Sequence, residues 1–248
     1  MEITAEIAKV KKVFAVDRPI IGMIHLKGGG RTEVLETAKK EVHSLLANGV
    51  DAVLIENYFG STDDVAAVLH YLKNETSDII YGVNVLDDDA LGFEFAKKYC
   101  AAFIQLDSVS GHLEPDDDEK FNDFIVSFRE KTNTFVLGGV RFKYQPYKSG
   151  RSLEDDLLIA TCRCDAIVVT GNCTGEVTPT DKIKSFREVL SVFPLFIGAG
   201  LTPENCSEQL PLADGAIVGS YFKGTFEDSG DVCAEHVRIF MDAAKRCK

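Results

Sequence analysis

The sequence predicts an α/β protein, a single (β/α)8 barrel of the TIM type, from three observations. The chain has 248 residues, the usual length of one such barrel. Short apolar runs without polar alternation, typical of parallel strands buried on both faces, alternate with longer helical patterns. Two apolar runs near the C-terminus, 195–198 and 215–219, end in glycine, where many barrels build a phosphate site after strands seven and eight.

The first half of the chain supplies four of the expected strands, which turn and capping residues separate from the helices. These strands are expected at 19–25, 51–56, 79–86 and 102–107. An amphipathic helix over 32–47 ends at Asn48-Gly49, and Ser61 begins the next helix. Asp87-Asp-Asp89 begin a third helix, and residues 1–18 are expected to form a short helical extension ahead of the barrel.

The second half supplies the remaining four strands in the same alternation. They are expected at 135–142, 165–170, 195–198 and 215–219. Helices are expected from the acidic run at 116 to about 131, over 153–161, from Pro179 onward, and over 232–245. Because no linker or low-complexity tract interrupts this alternation, we predict one barrel domain over residues 1–248.

Charge and composition exclude several function classes. The formal net charge of −12 argues against nucleic-acid binding and against docking on an anionic membrane, since both need clusters of Lys and Arg. We expect no signal peptide, because the N-terminus lacks a basic region followed by an apolar core. We also expect no transmembrane segment, because no apolar run approaches the roughly 18 residues that a spanning helix needs. Seven cysteines at irregular spacing suit free thiols in a reducing compartment, so a cytoplasmic location is predicted.

The two glycine-ended strands predict an anion site made of Gly198, Gly200, Gly219 and Ser220. Backbone amides that glycines leave accessible, placed where residues 221–223 could open a helix, would bind a phosphate together with the Ser220 hydroxyl. The alternative is that these glycines only permit tight turns after the strands. Lys223 could add positive charge to the site or lie in solvent.

The catalytic candidates stand at strand ends, because a barrel's active site lies at the C-terminal ends of its strands. Glu56 follows a very apolar strand and could be a general acid or base, or a carboxylate that holds a loop. His25 could be an acid, a base or a metal ligand, or a neutral histidine bonded to backbone. Lys143 could be a nucleophile, an anion partner or a solvent lysine, and Asp107 could contact a hydroxyl or a metal.

Other polar positions at the predicted mouth are assigned to substrate binding. They are Asn57, Asn84, Thr170 and Gly171. No metal-binding motif is present and no cofactor is predicted, although Glu56 with Asp107 would suit Mg²⁺, which binds oxygen ligands. The Cys162-Arg-Cys164 pair lacks the spacing of a zinc site.

Several motifs, taken in order, resemble the BtpA/SgcQ family of TIM-barrel proteins between residues 19 and 241. They are IGMIHL at 21–26, GVDAVLIEN at 49–57, YGVNVL at 81–86, IVVTG at 167–171, Thr174-Gly175, GAG at 198–200 and ADGAIVGS at 213–220. The resemblance implies a barrel of the ribulose-phosphate-binding group, and Lys143 matches the family lysine. Here Asp87 and Asp88 replace a usual arginine and asparagine, Gln105 replaces a usual arginine, and Asp107 replaces a usual asparagine.

This resemblance implies functions of more than one class. The family is named for a role in photosystem I biogenesis, and other members look like enzymes of sugar or nucleoside metabolism. We expect an enzyme that acts on a small phosphorylated ligand by acid/base chemistry: an isomerase, a lyase or a phosphoribosyl- or nucleoside-processing enzyme. The alternatives are a non-catalytic assembly factor and a sensor of a phosphorylated ligand. Homo-oligomers are common among such barrels, so one is expected here.

Overall fold

The protein folds into a closed barrel of eight parallel strands in chain order, as predicted. The computed structural model describes residues 5–247. The barrel closes where the first strand pairs with the eighth, with Ile20 opposite Ala216 and Gly22 opposite Val218. All eight pairings are parallel, so the carboxyl ends of the strands meet at one mouth.

The strands are short and almost entirely buried, which agrees with their continuous apolar sequences. Their bounds are β1 (Ile20–His25), β2 (Ala52–Glu56), β3 (Tyr81–Asn84), β4 (Phe103–Ser110), β5 (Phe135–Val140), β6 (Ala166–Val169), β7 (Leu195–Ile197) and β8 (Gly215–Val218).

Helices lie between the strands and cover the outside of the barrel. They are α1 (Ala5–Phe14), α2 (Arg31–Ala47), α3 (Thr62–Glu75), α4 (Asp89–Tyr99), α5 (Pro115–Arg129), α6 (Leu153–Arg163), α7 (Thr180–Leu190), α8 (Pro203–Gln209) and α9 (Ala234–Cys247). Two single turns of 3₁₀ helix, Leu210–Leu212 and Ser220–Phe222, flank β8.

The structure corrects several predicted boundaries. β3 is shorter than the predicted 79–86, because Val85 accepts a hydrogen bond from Asp88 in a turn although its side chain is buried. An apolar residue in the core need not belong to a strand. β4 is longer than predicted, and its pairing with β5 shifts register between Leu106 and Ser110. α9 begins at Ala234, two residues after the predicted start.

The inside of the barrel forms its own apolar cluster, which α1 closes at the N-terminal end. Phe14 of α1 is 1% exposed, and its ring lies 5.2 Å from Phe103, 5.9 Å from Phe135 and 6.1 Å from Phe196. The first two partners begin their strands, so the N-terminal helix is part of the core. Residues 1–4 of the predicted extension lie outside the described residues.

None of the helices within residues 5–247 is both long enough and apolar enough to span a membrane.

Candidate functional site

A cavity of about 120 Å³ opens at the C-terminal ends of β1, β7 and β8, and we call it the glycine cavity. The four residues predicted to bind phosphate all line it: Gly198, Gly200, Gly219 and Ser220. His25 and Lys143, which were predicted as catalytic candidates, line the same cavity. The structure therefore brings six of the sequence-derived site residues around one space.

At Gly200 the turn itself requires glycine. Its φ is +69°, and a Cβ there would lie 2.2 Å from the carbonyl oxygen of Glu176. No other residue fits, because the left-handed backbone and the close approach of the loop after β6 both exclude a side chain. Gly200 is therefore required by the turn itself, as the alternative interpretation of the glycines predicted, and it also lines the glycine cavity.

The segment after β8 differs from the predicted helix start. It forms only the 3₁₀ turn Ser220–Phe222 before the chain turns back. Both predicted positions of Lys223 are wrong, because its side chain is fully buried and its Nζ donates to Glu41 Oε2 at 2.9 Å. This buried ion pair joins the loop after β8 to α2, and Lys223 does not line the glycine cavity.

A carboxylate that the sequence did not single out also lines this cavity. Asp228 lies in the loop before α9, and its Oδ1 accepts a hydrogen bond from Ser220 Oγ at 2.6 Å. The same oxygen lies 3.9 Å from Nδ1 of His25. The hydroxyl assigned to phosphate is thus bonded to an acidic side chain, which an anionic ligand would have to displace.

His25 lies between two carboxyl groups. Its Nε2 is 3.8 Å from Glu56 Oε1, and its Nδ1 faces Asp228. The ring of Tyr58 packs against it at a tilt of 39°, with the ring centroids 4.9 Å apart. Burial, followed by the charges of Lys223 and Lys143, lowers the pKa of His25 to about 3. The imidazole is therefore neutral at pH 7 and suited to exchanging hydrogen bonds with ligands and neighbours.

Glu56 ends β2 as a buried carboxyl group that retains its proton at neutral pH. Burial, followed by the charge of Asp107, raises its pKa to about 8. One amide bridges the two carboxyl groups, since Asn84 Nδ2 donates to Glu56 Oε2 and to Asp107 Oδ1, both at 3.0 Å. Gln105 Nε2 adds a longer bond to Asp107 at 3.3 Å. This places a proton donor at the mouth, next to His25.

Lys143 follows β5 and is half-buried at the edge of the glycine cavity. Its Nζ donates to Thr174 Oγ1 at 3.0 Å, and that oxygen lies 3.5 Å from the hydroxyl of Tyr58. The loop after β6, which carries Thr174 and Gly175, thus contributes to the cavity wall. The ammonium of Lys143 is the positive charge of this wall.

Three residues predicted to bind substrate do not line the glycine cavity, and their contacts are structural. Asn57 Oδ1 accepts the Leu86 amide at 2.8 Å, and Thr170 Oγ1 accepts the Lys143 amide at 2.9 Å. Gly171 packs against the loop after β6, where a Cβ would lie 3.2 Å from the Glu176 carbonyl oxygen. These residues hold the loops that form the mouth, and the geometry gives no support to substrate contact.

The described residues contain no cluster of candidate metal ligands. Within residues 5–247, no three or more His, Cys, Asp or Glu side chains are grouped so that they could hold one. Glu56 and Asp107, the pair considered for Mg²⁺, are separated by the bridging amide of Asn84.

Comparisons with known proteins agree with this architecture. The model of the BtpA family matches residues 16–246. An uncharacterized protein of Thermococcus kodakarensis is 29% identical over 256 residues, covering 93% of this chain and 97% of the relative. The photosystem I biogenesis protein BtpA of Synechocystis is 24% identical, covering 86% of this chain and 83% of that protein.

Solved structures with little sequence similarity share the fold. The structure described as native KDPGal has a TM-score of 0.63 and 16% identity, covering 92% of this chain and 95% of that chain. Phosphoribosyl anthranilate isomerase from Thermus thermophilus has a TM-score of 0.59 and 16% identity, covering 93% of this chain and all of that one. At this identity the likeness concerns the barrel alone.

Proposed function

The chain belongs to the BtpA family, and from that premise and the geometry of its mouth we propose that it is an enzyme acting on a small phosphorylated metabolite. The observation that carries the proposal is the glycine cavity, where four glycine and serine residues face His25 and Lys143. A structural neighbour, phosphoribosyl anthranilate isomerase, bears the name of an enzyme whose substrate carries a phosphoribosyl group. This supports the ligand class only by analogy of fold.

The phosphate would bind backbone amides of the loops after β7 and β8. Glycines at 200 and 219 leave their amides without side chains above them, and the Ser220 hydroxyl adds a donor. The Gly198 amide already donates to the Val169 carbonyl oxygen at 2.8 Å, so Gly198 would only shape the wall. Lys143, which lines the same cavity, supplies a cation. A sugar phosphate or nucleotide held there would extend toward the centre of the mouth.

Acid/base chemistry would then fall to Glu56. A carboxyl group with a pKa near 8 is mostly protonated at pH 7, so it can donate its proton to the substrate. The carboxylate that results can then accept a proton from the substrate. The neutral His25, whose Nε2 lies 3.8 Å from Glu56 Oε1, would orient the ligand through hydrogen bonds. This combination suits the proton transfers of an isomerase, a lyase or a phosphoribosyl- or nucleoside-processing enzyme.

The phosphate proposal predicts a stability increase with phosphorylated ligands. We expect inorganic phosphate or a sugar phosphate at 100 times its Kd to add about 2.7 kcal/mol to the free energy of unfolding, measured by thermal denaturation. Lys143→Met should weaken this binding at least tenfold, whereas Lys148→Met, an exposed lysine of the same loop, should not. The absence of any shift across a panel of phosphosugars and nucleotides would refute the anchor.

Removal of the Asp228 carboxylate should strengthen phosphate binding. Asp228→Asn frees Ser220 Oγ from a charged acceptor and removes a negative charge from the cavity wall. We expect the Kd for inorganic phosphate to fall about tenfold, which corresponds to about 1.4 kcal/mol. Titration calorimetry would measure it, with Glu227→Gln, an exposed neighbour in the same loop, as the matched control. Weaker binding in Asp228→Asn would mean that the carboxylate helps to hold the ligand.

One observation favours a second candidate, a non-catalytic assembly factor. Aromatic side chains are exposed beside the mouth, with Phe59 49%, Tyr144 65% and Phe226 54% accessible. Such a factor would keep its role in Glu56→Gln and lose it when these three residues are replaced by serine. An enzyme would lose its role in Glu56→Gln and keep it in the triple serine variant. Testing whether each variant restores the function of a strain that lacks the protein separates the two candidates.

A further inference from the structure

A second cavity, of about 160 Å³, lies at the C-terminal ends of β3 and β4. No residue on its wall also lines the glycine cavity. Its polar wall consists of Asn84, Asp87, Asp89, Asp107, Ser108 and His112, and we call it the acidic cavity. The acid/base group proposed above contacts only its edge, because Asn84 donates to Glu56 Oε2.

The wall of the acidic cavity is rich in carboxyl groups. Three of its residues are aspartates (Asp87, Asp89 and Asp107), and within residues 5–247 none of them forms an ion pair. No lysine or arginine is on the cavity wall. By contrast, the buried Asp118 pairs with Arg163 at 2.8 Å. Asp89 and Asp107 are partly buried and Asp87 is exposed. Partial burial of carboxylates without a cation beside them is unfavourable, so the first two need an explanation.

The pKa values of the titratable groups on the wall are shifted in the directions expected where carboxyl groups lie close together with little positive charge. Burial, followed by the charges of Asp107 and Asp88, raises the pKa of Asp89 to about 7. Burial also raises the pKa of Asp107. His112 brings no positive charge at pH 7, because burial lowers its pKa to about 4.

Unsatisfied polar atoms on the wall are an independent observation. Ser108 is 5% exposed, and its hydroxyl makes no hydrogen bond with any group in the described part of the chain. The Nδ1 atom of His112 likewise has no partner there. Buried polar groups in native proteins are almost always hydrogen-bonded, so a hydroxyl left open beside three carboxylates indicates a missing ligand.

We propose that the acidic cavity binds the ammonium group of a small organic cation. An ammonium has three N–H donors and no acceptor, whereas an ionised carboxylate only accepts. Asp89 and Asp107 would accept two of the donors, and the Ser108 hydroxyl would accept the third. The ligand's single positive charge would offset one of the aspartate charges, which a neutral hydroxyl group could not do.

The wall suits an organic cation better than a divalent metal. Mg²⁺ requires oxygen ligands about 2.0–2.1 Å away in near-octahedral geometry. Among residues 5–247, no three acidic, histidine or cysteine side chains are grouped for a metal ion. The space of about 160 Å³ is instead large enough for several non-hydrogen atoms, as a short aminoalkyl chain requires.

Small amines test this proposal directly. At pH 8 and constant ionic strength, we expect 2-aminoethanol to raise the melting temperature saturably. Ethylene glycol, which has a hydroxyl in place of the amine, and choline, which has no N–H donors, should raise it little. Asp87→Asn and Asp89→Asn should each weaken 2-aminoethanol binding at least tenfold. Asp116→Asn, an exposed aspartate at the start of α5, should leave it unchanged.

The controls separate binding from folding. Asp87 has a left-handed backbone with φ 65°, which asparagine adopts readily, so Asp87→Asn should keep the fold and its melting temperature without amine. The proposal is overturned if 2-aminoethanol gives no saturable shift, or if ethylene glycol or choline gives an equal one. It is also overturned if both variants bind as well as the wild type, or if MgCl2 saturates the site and excludes the amine.

Discussion

We expect Glu56→Gln to lower the turnover of a phosphorylated substrate by roughly 10²–10⁴-fold, the usual contribution of a general acid or base. The amide keeps the size of the side chain and can still contact Asn84, but it cannot release or accept a proton. Phosphate affinity should stay within about twofold of wild type, because Glu56 does not line the glycine cavity. Steady-state kinetics on a substrate from the ligand panel, together with calorimetry for phosphate, measure the two effects.

The same substitution has a stability signature that needs no substrate. In the folded protein the pKa of Glu56 is raised from 4.5 to about 8, so the folded state holds a proton that the unfolded chain has lost. Wild-type stability should therefore fall relative to Glu56→Gln as pH rises from about 4.5 to about 8, by at most about 1.4 kcal/mol per pH unit. Above pH 8 the difference should become constant.

An exposed glutamate serves as the control for both readouts. Glu188→Gln on α7 should change neither turnover nor the pH dependence of stability. Full turnover in Glu56→Gln would remove Glu56 from the mechanism. A pH-independent stability difference between Glu56→Gln and wild type would show that this carboxyl group titrates normally in the folded protein.

Phe14→Ala should lower the free energy of unfolding by about 3–5 kcal/mol, as expected when a buried phenylalanine is removed from a core. Its ring contacts the rings of Phe103, Phe135 and Phe196, so the substitution leaves a cavity at the N-terminal end of the barrel. Urea denaturation measures the loss. It should appear as a lower midpoint with little change in slope.

Lys12→Ala on the same helix is the matched control, because Lys12 is exposed. It should change the free energy of unfolding by less than about 0.5 kcal/mol. A similarly small effect of Phe14→Ala would mean that α1 contributes little to the stability of the barrel.

Much of the fold could be predicted from the sequence because strand burial in a barrel leaves a local signal. Each apolar run became a strand, and the glycines at 198, 200 and 219 lie together because consecutive parallel strands end at the same mouth. The predicted ends of the strands were less accurate. Val85 is apolar and buried like a strand residue, but it belongs to the turn after β3. Hydrophobicity reports burial, and burial alone does not distinguish a strand from the turn that follows it.

The residues that were missed or misplaced depend on contacts between distant parts of the chain. Lys223 pairs with Glu41, 182 residues earlier, and nothing in the sequence around either residue indicates the partner. Asp228 reaches the site only because the loop before α9 folds back over Ser220. Asn57 follows Glu56 directly, yet its side chain bonds to the Leu86 backbone, because adjacent residues at a strand end point in different directions.

Because Phe14 closes one end of the barrel, Glu56 can exchange hydrogen with solvent only from the mouth. With aromatic rings packed at one end, the carboxyl group of Glu56 exchanges protons with water through the mouth, where the ligand would sit. A bound ligand would therefore separate this group from solvent during the reaction. Glu56 is protonated before the ligand binds, so in D2O its carboxyl group carries deuterium, and a proton transfer from Glu56 to the substrate should place that deuterium in the product.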